Sequence, residues 1–278
     1  MGCPGCLIKI AGKPINMEVL RVFKIGGSVI EKVENLSLFL DKFEKVPGKK
    51  ILVHGGGKSV SQMSERVGLP VKMVDGRRIT DADTLEVVKM MLAGVINKNI
   101  VSGLQARKAN AIGMTGADAN VILAHKRPKV KGLDYGFVGD IDQVFGGTLR
   151  SLIDLGLLPV LAAMTHDGKG QMLNTNADTV ASAVAVALVN YYKVELVYCF
   201  ELDGVLKEIT DPTSIIYEID KTLFEGYKSS GVIHKGMIPK IDNALLAVQK
   251  GVASVRICNA LKVDRISHQP YTTGTLIH

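Results

Sequence analysis

Tryptophan is absent from this 278-residue chain, and phenylalanine and tyrosine make up only 5% of it. There is no basic stripe interleaved with aromatics, which argues against a nucleic-acid surface despite a net charge of +7. Cysteine is scarce, with four residues at positions 3, 6, 199 and 258. Cys3-Pro4-Gly5-Cys6 has no second pair, which argues against a zinc site. Cys199 and Cys258 lie in apolar runs and read as small buried hydrophobes. The histidines show no H-x-x-x-H spacing. No apolar run reaches about 18 residues, so no membrane span is expected. The first residues lack the basic start and long apolar stretch of a signal peptide. A reducing, cytoplasmic setting follows as the expectation.

Two familiar phosphate signatures also fail. A Walker A motif ending at Lys58-Ser59 needs glycine at 52, where the chain has Leu52. A dinucleotide fingerprint starting at Gly55 needs glycine at 60 and meets Val60. There is no low-complexity linker and no internal repeat.

What remains is an aliphatic chain, 47% hydrophobic, whose apolar mass comes from Val, Ile, Leu and Ala. That mix suits a buried parallel sheet covered by helices. Lysine and arginine are dispersed, so the positive charge serves solubility or draws anionic small molecules. Strand-like runs at 19–25, 50–54, 109–113, 120–125, 158–163, 194–200 and 254–259 alternate with helix-like runs. The helical stretches are 33–45, 58–67, 81–106, 147–155, 176–191 and 237–250. Alternation of this kind predicts an α/β fold. Hairpin-like pieces at 70–80, 129–145 and 165–174 are rich in Gly and Asp. Residues 1–16 differ from the rest and read as an N-terminal extension. A compositional seam near 174 suggests two lobes, 17–173 and 174–278.

Five constellations carry chemistry. Lys24-Ile25-Gly26-Gly27-Ser28 ends a strand with a lysine and two glycines, where α/β sites lie. It is a plain turn or a phosphate contact. His54-Gly55-Gly56-Gly57 ends the next strand, and its N–H groups could surround a phosphoryl group if the two strands are parallel neighbours. Asn174-Thr175-Asn176-Ala177-Asp178 opens an apolar helix, as a cap or as ligand contacts. An aspartate there could hold two lysines while staying ionised. Lys240, in His234-Lys235-Gly236-Met237-Ile238-Pro239-Lys240, falls in a first helical turn, where the dipole disfavours a cation unless it faces an anion. In Asp75-Gly76-Arg77-Arg78-Ile79-Thr80, strand alternation directs only one arginine into a site.

Taken in order, these motifs resemble the amino acid kinase family, and within it the branch that acts on acylated glutamate. Ile112-Gly113-Met114-Thr115-Gly116-Ala117-Asp118, Gly136-Phe137-Val138-Gly139-Asp140 and Leu158-Pro159-Val160 support the match, which runs from about residue 20 to the C-terminus. The resemblance implies a three-layer αβα sandwich with a central, mostly parallel sheet, carbamate kinase-like and in two lobes. It implies transfer of the γ-phosphoryl of ATP to the side-chain carboxylate of N-acetyl-L-glutamate, in arginine biosynthesis. The alternatives are the same reaction on N-succinyl-L-glutamate, a different member of the amino acid kinase family, and a silent regulatory module. By the same resemblance Lys24 and Lys240 neutralise the phosphates, Asp178 orients both lysines, and the amides of Gly27, Gly55 and Gly56 bind the phosphoryl group. Arg78 and Asn174, with Gly57 and Asn176, hold the acylated substrate. Gly26, Gly204 and Met237 join the two lysines around the nucleotide. Mg²⁺ travels on the nucleotide phosphates, with no protein metal cage. A homodimer without arginine feedback is implied.

Three departures stand out. Gly236 is preceded by His234-Lys235 rather than by a second glycine. Phe200-Glu201 stands where the family tends to carry Thr-Asp, and Arg77 replaces a residue that is usually apolar.

Overall fold

A computed structural model describes residues 17–74, 76–233, 237–267 and 273–278. The expected extension at 1–16, Asp75 and the departure at His234-Lys235-Gly236 lie outside the described residues. The main sheet contains β1 (Val19–Ile25), β2 (Lys49–His54), β3 (Ala111–Met114), β4 (Leu158–Ala162), β5 (Lys193–Phe200), β6 (Glu218–Ile219), β7 (Ser254–Asn259) and β8 (Thr275–Ile277). Its order is β6-β8-β7-β5-β1-β2-β4-β3. All pairings are parallel except β7 with β8.

Strand alternation divides the apolar side chains between two cores. Leu20, Val22, Ile51, Val53, Leu161, Leu196 and Val255 face one side. Phe23, Ile25, Leu52, Val160, Val197 and Cys258 face the other. The first core is closed by α4 (Gly146–Asp154), α5 (Ala177–Ala187) and α7 (Ile238–Gln249). The second is closed by α1 (Val33–Glu44), α2 (Gly57–Arg66) and α3 (Ala82–Gln105). The result is the expected three-layer sandwich. A four-stranded sheet, ordered 172–174, 164–166, 122–126 and 139–144, lies beyond the main one.

Several sequence expectations need adjustment. The 176–191 helix stops at Ala187, and the hairpin-like piece at 129–145 resolves into the strand Gly139–Val144 paired with Ile122–Lys126. Helix α6 (Lys221–Ser229) was not expected, because its stretch is polar and only Phe224 is buried. Helix α3 carries a π-helical stretch, Lys89–Ile96, between two α-helical ends. It is also long and apolar enough by composition to cross a membrane, contrary to the expectation of no such run. In the fold Val88, Leu92, Ile96, Ile100 and Leu104 pack it against the second core. The seam at 174 does not interrupt the main sheet, since β5 pairs along its length with β1.

Candidate active site

Strands β1 and β2 are parallel neighbours with Ile25 opposite His54. Their following loops, Gly26-Gly27 and Gly55-Gly56-Gly57, therefore open on one edge of the sheet. Lys24 shares the strand face of Leu20 and Val22, which is the face covered by α5. The first turn of α5 carries Asp178. Lys24 Nζ lies 2.7 Å from Asp178 Oδ1, and Lys240 Nζ lies 2.9 Å from Asp178 Oδ2. Lys240 thus faces an anion from its unfavourable helix position, as the sequence required. Burial, the largest influence on Asp178, opposes ionisation, but the charges of Lys24 and then Lys240 outweigh it and hold the carboxyl below its ordinary range. Gly26 leaves room for this lysine, because a Cβ there would sit 3.1 Å from Lys24 Nζ.

Two clefts meet at this centre. One, of about 240 Å³, is bordered by the 55–57 loop, Arg77, Arg78, Asn174 and Asn176. The other, of about 350 Å³, is bordered by Phe200, Gly204 and Met237. Lys24, Gly26 and Gly27 border both. Arg78 is buried, and its Nη2 donates to Gly57 O at 2.8 Å and to Ser61 Oγ at 2.7 Å. Its buried Nη1 has no acceptor among the described residues. Asn174 Nδ2 donates to buried Thr80 Oγ1 at 3.0 Å, which fixes the amide and leaves Oδ1 toward other donors. Asn176 is the N-cap of α5, accepting from the N–H groups of Asp178 and Thr179.

One expectation is corrected. The N–H of Gly55 donates to Ile25 O at 3.1 Å, so it is not free for a phosphoryl group. The parallel pairing of β1 and β2 continues one residue into the loop and takes that amide. The N–H groups of Gly27, Gly56 and Gly57 have no acceptor among the described residues. Arg77 and Arg78 both border the same cleft, and Arg78 is the one whose guanidinium bonds to the 57–61 segment.

Phe200 is the site residue whose place the sequence did not disclose. Its ring lies 5.5 Å from Lys24 Nζ and 4.9 Å from Lys240 Nζ, measured to the centroid. Both are cation–π distances. The available signal was parity, since Phe200 follows Leu196 and Tyr198 on the strand face that Lys24 also uses. Among the described residues no group of three His, Cys, Asp or Glu side chains could hold a metal ion.

A model of the amino acid kinase family matches residues 20–259. The chain is 52% identical over 259 residues to the acetylglutamate kinase of Cytophaga hutchinsonii, covering 93% of this chain and 98% of that one. It is similar to the crystal structure of smu.665 from Streptococcus mutans UA159, with a TM-score of 0.74 and 28% identity over 93% of this chain and 98% of that one. Carbamate kinase from Giardia lamblia bound to AMP-PNP shares the fold, with a TM-score of 0.65 and 13% identity over 94% of this chain and 98% of that one.

Proposed function

The chain belongs to the amino acid kinase family, and we propose that it transfers the γ-phosphoryl group of ATP to the side-chain carboxylate of N-acetyl-L-glutamate. The observation that carries this reading is the meeting of two clefts at Lys24, where Asp178 joins Lys24 to Lys240. The acetylglutamate kinase relative, at 52% identity, supports the choice of acceptor. In this reading the 17–173 lobe binds the acylated amino acid and the 174–278 lobe binds the nucleotide.

The chemistry needs no general base, because a γ-carboxylate is already ionised at neutral pH. A carboxylate oxygen forms a bond to the γ-phosphorus, the bond to the bridging oxygen breaks, and ADP leaves with that electron pair. Catalysis is then alignment and charge neutralisation. Lys24 and Lys240 face the phosphates, held by Asp178. The free amides of Gly27, Gly56 and Gly57 serve the transferring group, with Gly57 in the place first assigned to Gly55. The unpartnered Nη1 of Arg78 suits the substrate's α-carboxylate, and Asn174 Oδ1 suits an acylamide N–H. Acylation also removes the amine that would attack the activated γ-carbonyl. Gly26, Gly204 and Met237 border the nucleotide cleft. Mg²⁺ fits as a passenger of the nucleotide, since both oxygens of the central carboxylate face lysines. Its chemistry is to neutralise phosphate charge.

A second acceptor, N-succinyl-L-glutamate, has one observation in its favour. Arg77 borders the acceptor cleft with no acidic partner among the described residues, and a succinyl group brings a carboxylate that needs one. ATP-dependent hydroxamate formation with acetylated, succinylated and free glutamate, aspartate and carbamate tests both readings. N-acetylglutamate is expected to turn over fastest. Turnover confined to a non-acylated acceptor overturns the assignment. If succinyl is the acceptor, Arg77→Ala raises its KM about tenfold or more and leaves that of N-acetylglutamate unchanged.

A further inference from the structure

His54 is fully buried beneath the glycine loop, and the phosphoryl-transfer chemistry leaves it without a role. It lies on the strand face of Leu52, pointing toward α3 rather than toward the lysines. Its Nδ1 lies 2.9 Å from Gly55 O, and its Nε2 lies 3.0 Å from Asn97 Nδ2. Asn97 Nδ2 also donates to Val160 O at 3.0 Å, and Asn97 Oδ1 accepts from Lys98 Nζ at 3.1 Å.

The partners fix every hydrogen. A carbonyl only accepts, so the Asn97 nitrogen is the donor to Val160 O and to His54 Nε2. His54 Nε2 is therefore bare, and Nδ1 carries the proton donated to Gly55 O. Burial favours this neutral ring, bringing its pKa down to about 4. Space for the network is built in, since a Cβ on Gly113 would sit 1.9 Å from Asn97 Oδ1. Asn97 directly follows the π-helical stretch of α3, and Leu92 and Ile96 of that stretch press against Gly56. Such stretches often re-aim side chains at functional sites.

In a trans peptide the C=O and N–H groups point in opposite directions. Gly55 O is drawn inward by the imidazole, so the N–H of Gly56 points outward, where the loop borders the cleft. The N–H of Gly55 is tied to Ile25 O, which pins the preceding peptide as well. Gly56 has φ 148°, a region open to glycine that does not by itself fix one peptide orientation. Something outside the loop must choose.

We propose that His54, held by Asn97 as its Nδ1–H tautomer, is a positioning residue that aims the Gly56 amide at the phosphoryl group in flight. The proposal rests on the kinase reading above and extends it to a residue that touches neither substrate. Preorganised donors of this kind act on the transition state more than on substrate binding. Two variants separate the imidazole's two jobs. Asparagine places its amide nitrogen near the Nδ1 position and keeps the donor to Gly55 O. Glutamine reaches the Nε2 position and loses that donor.

His54→Gln is expected to lower kcat about 30-fold or more while KM for ATP and for N-acetylglutamate stays within about threefold. His54→Asn is expected to recover kcat to within about fivefold of the parent. Equal kcat in the two variants, whether high or low, overturns the proposal. A ¹⁵N spectrum of the His54 ring in the unaltered protein tests the same idea without turnover. It is expected to show Nδ1 protonated and Nε2 bare from about pH 5.5 to about pH 8. An Nε2–H tautomer, or titration in that window, overturns it. If the parent turns over no acylglutamate, the kinase reading fails and the ring spectrum still judges His54. Should His54→Gln not fold, the same spectrum decides.

Discussion

Asp178 sits between two ammonium groups, one on each carboxylate oxygen, and both lysines also face the ring of Phe200. Neutralising that carboxylate leaves two like charges side by side in a partly desolvated site. Asp178→Asn is therefore expected to lower kcat about 10²-fold or more in steady-state assays, with the protein still folded. The pH dependence has a definite sign. The folded carboxyl is held below its ordinary value of 3.8 despite burial, by Lys24 and Lys240. Its contribution to stability is complete above about pH 4 and is lost as pH falls through the depressed folded value. Denaturant melts of parent and Asp178→Asn should converge only in acid below about pH 4. A gap unchanged down to about pH 2 counts against the ion pairs. Lys24, Asp178 and Lys240 were legible in the sequence because charged residues stood at strand and helix ends. The engagement of the Gly55 amide was not, since it depends on where strand pairing stops.

At the level of elements, the glycine loop works because α3 leaves it no spare volume. Gly56 has φ 148°, and a Cβ there would sit 2.3 Å from Ile96 Cδ1 and 2.9 Å from Leu92 Cδ2. The Ile96 terminus can swing aside, but the backbone strain remains. Gly56→Ala is expected to cost about 1–3 kcal/mol in urea melts and to reduce kcat at least tenfold. Parent-like stability and kcat would show that neither conformation nor space is restrictive. The strands were readable from aliphatic runs, and the two-core arrangement follows from their alternation. Helix α6 and the two-residue strands Ile215–Ile216 and Glu218–Ile219 were not readable, because they bury too little apolar surface to leave a pattern. The π-helical stretch in α3 was hidden because its apolar residues read as an ordinary long helix.

At the scale of the whole molecule, Met90 and Val95 stand about half exposed on the same helix, at 56% and 49%. The homodimer is the expectation that the family resemblance carries. Light scattering is expected to give twice the chain mass of 29.9 kDa, and arginine is expected not to inhibit. A monomer, a hexamer or arginine inhibition overturns this. The amino-acid sequence by itself determined the fold class, the two glycine loops and the three charged residues of the centre. It could do so because strand periodicity and the chemistry of strand ends are local properties. Only the tertiary structure decided which amides stay free, that Phe200 spans both lysines, and that His54 and Asn97 stand behind Gly56. Those depend on contacts across tens of residues of chain, where register and packing select partners that no local pattern names.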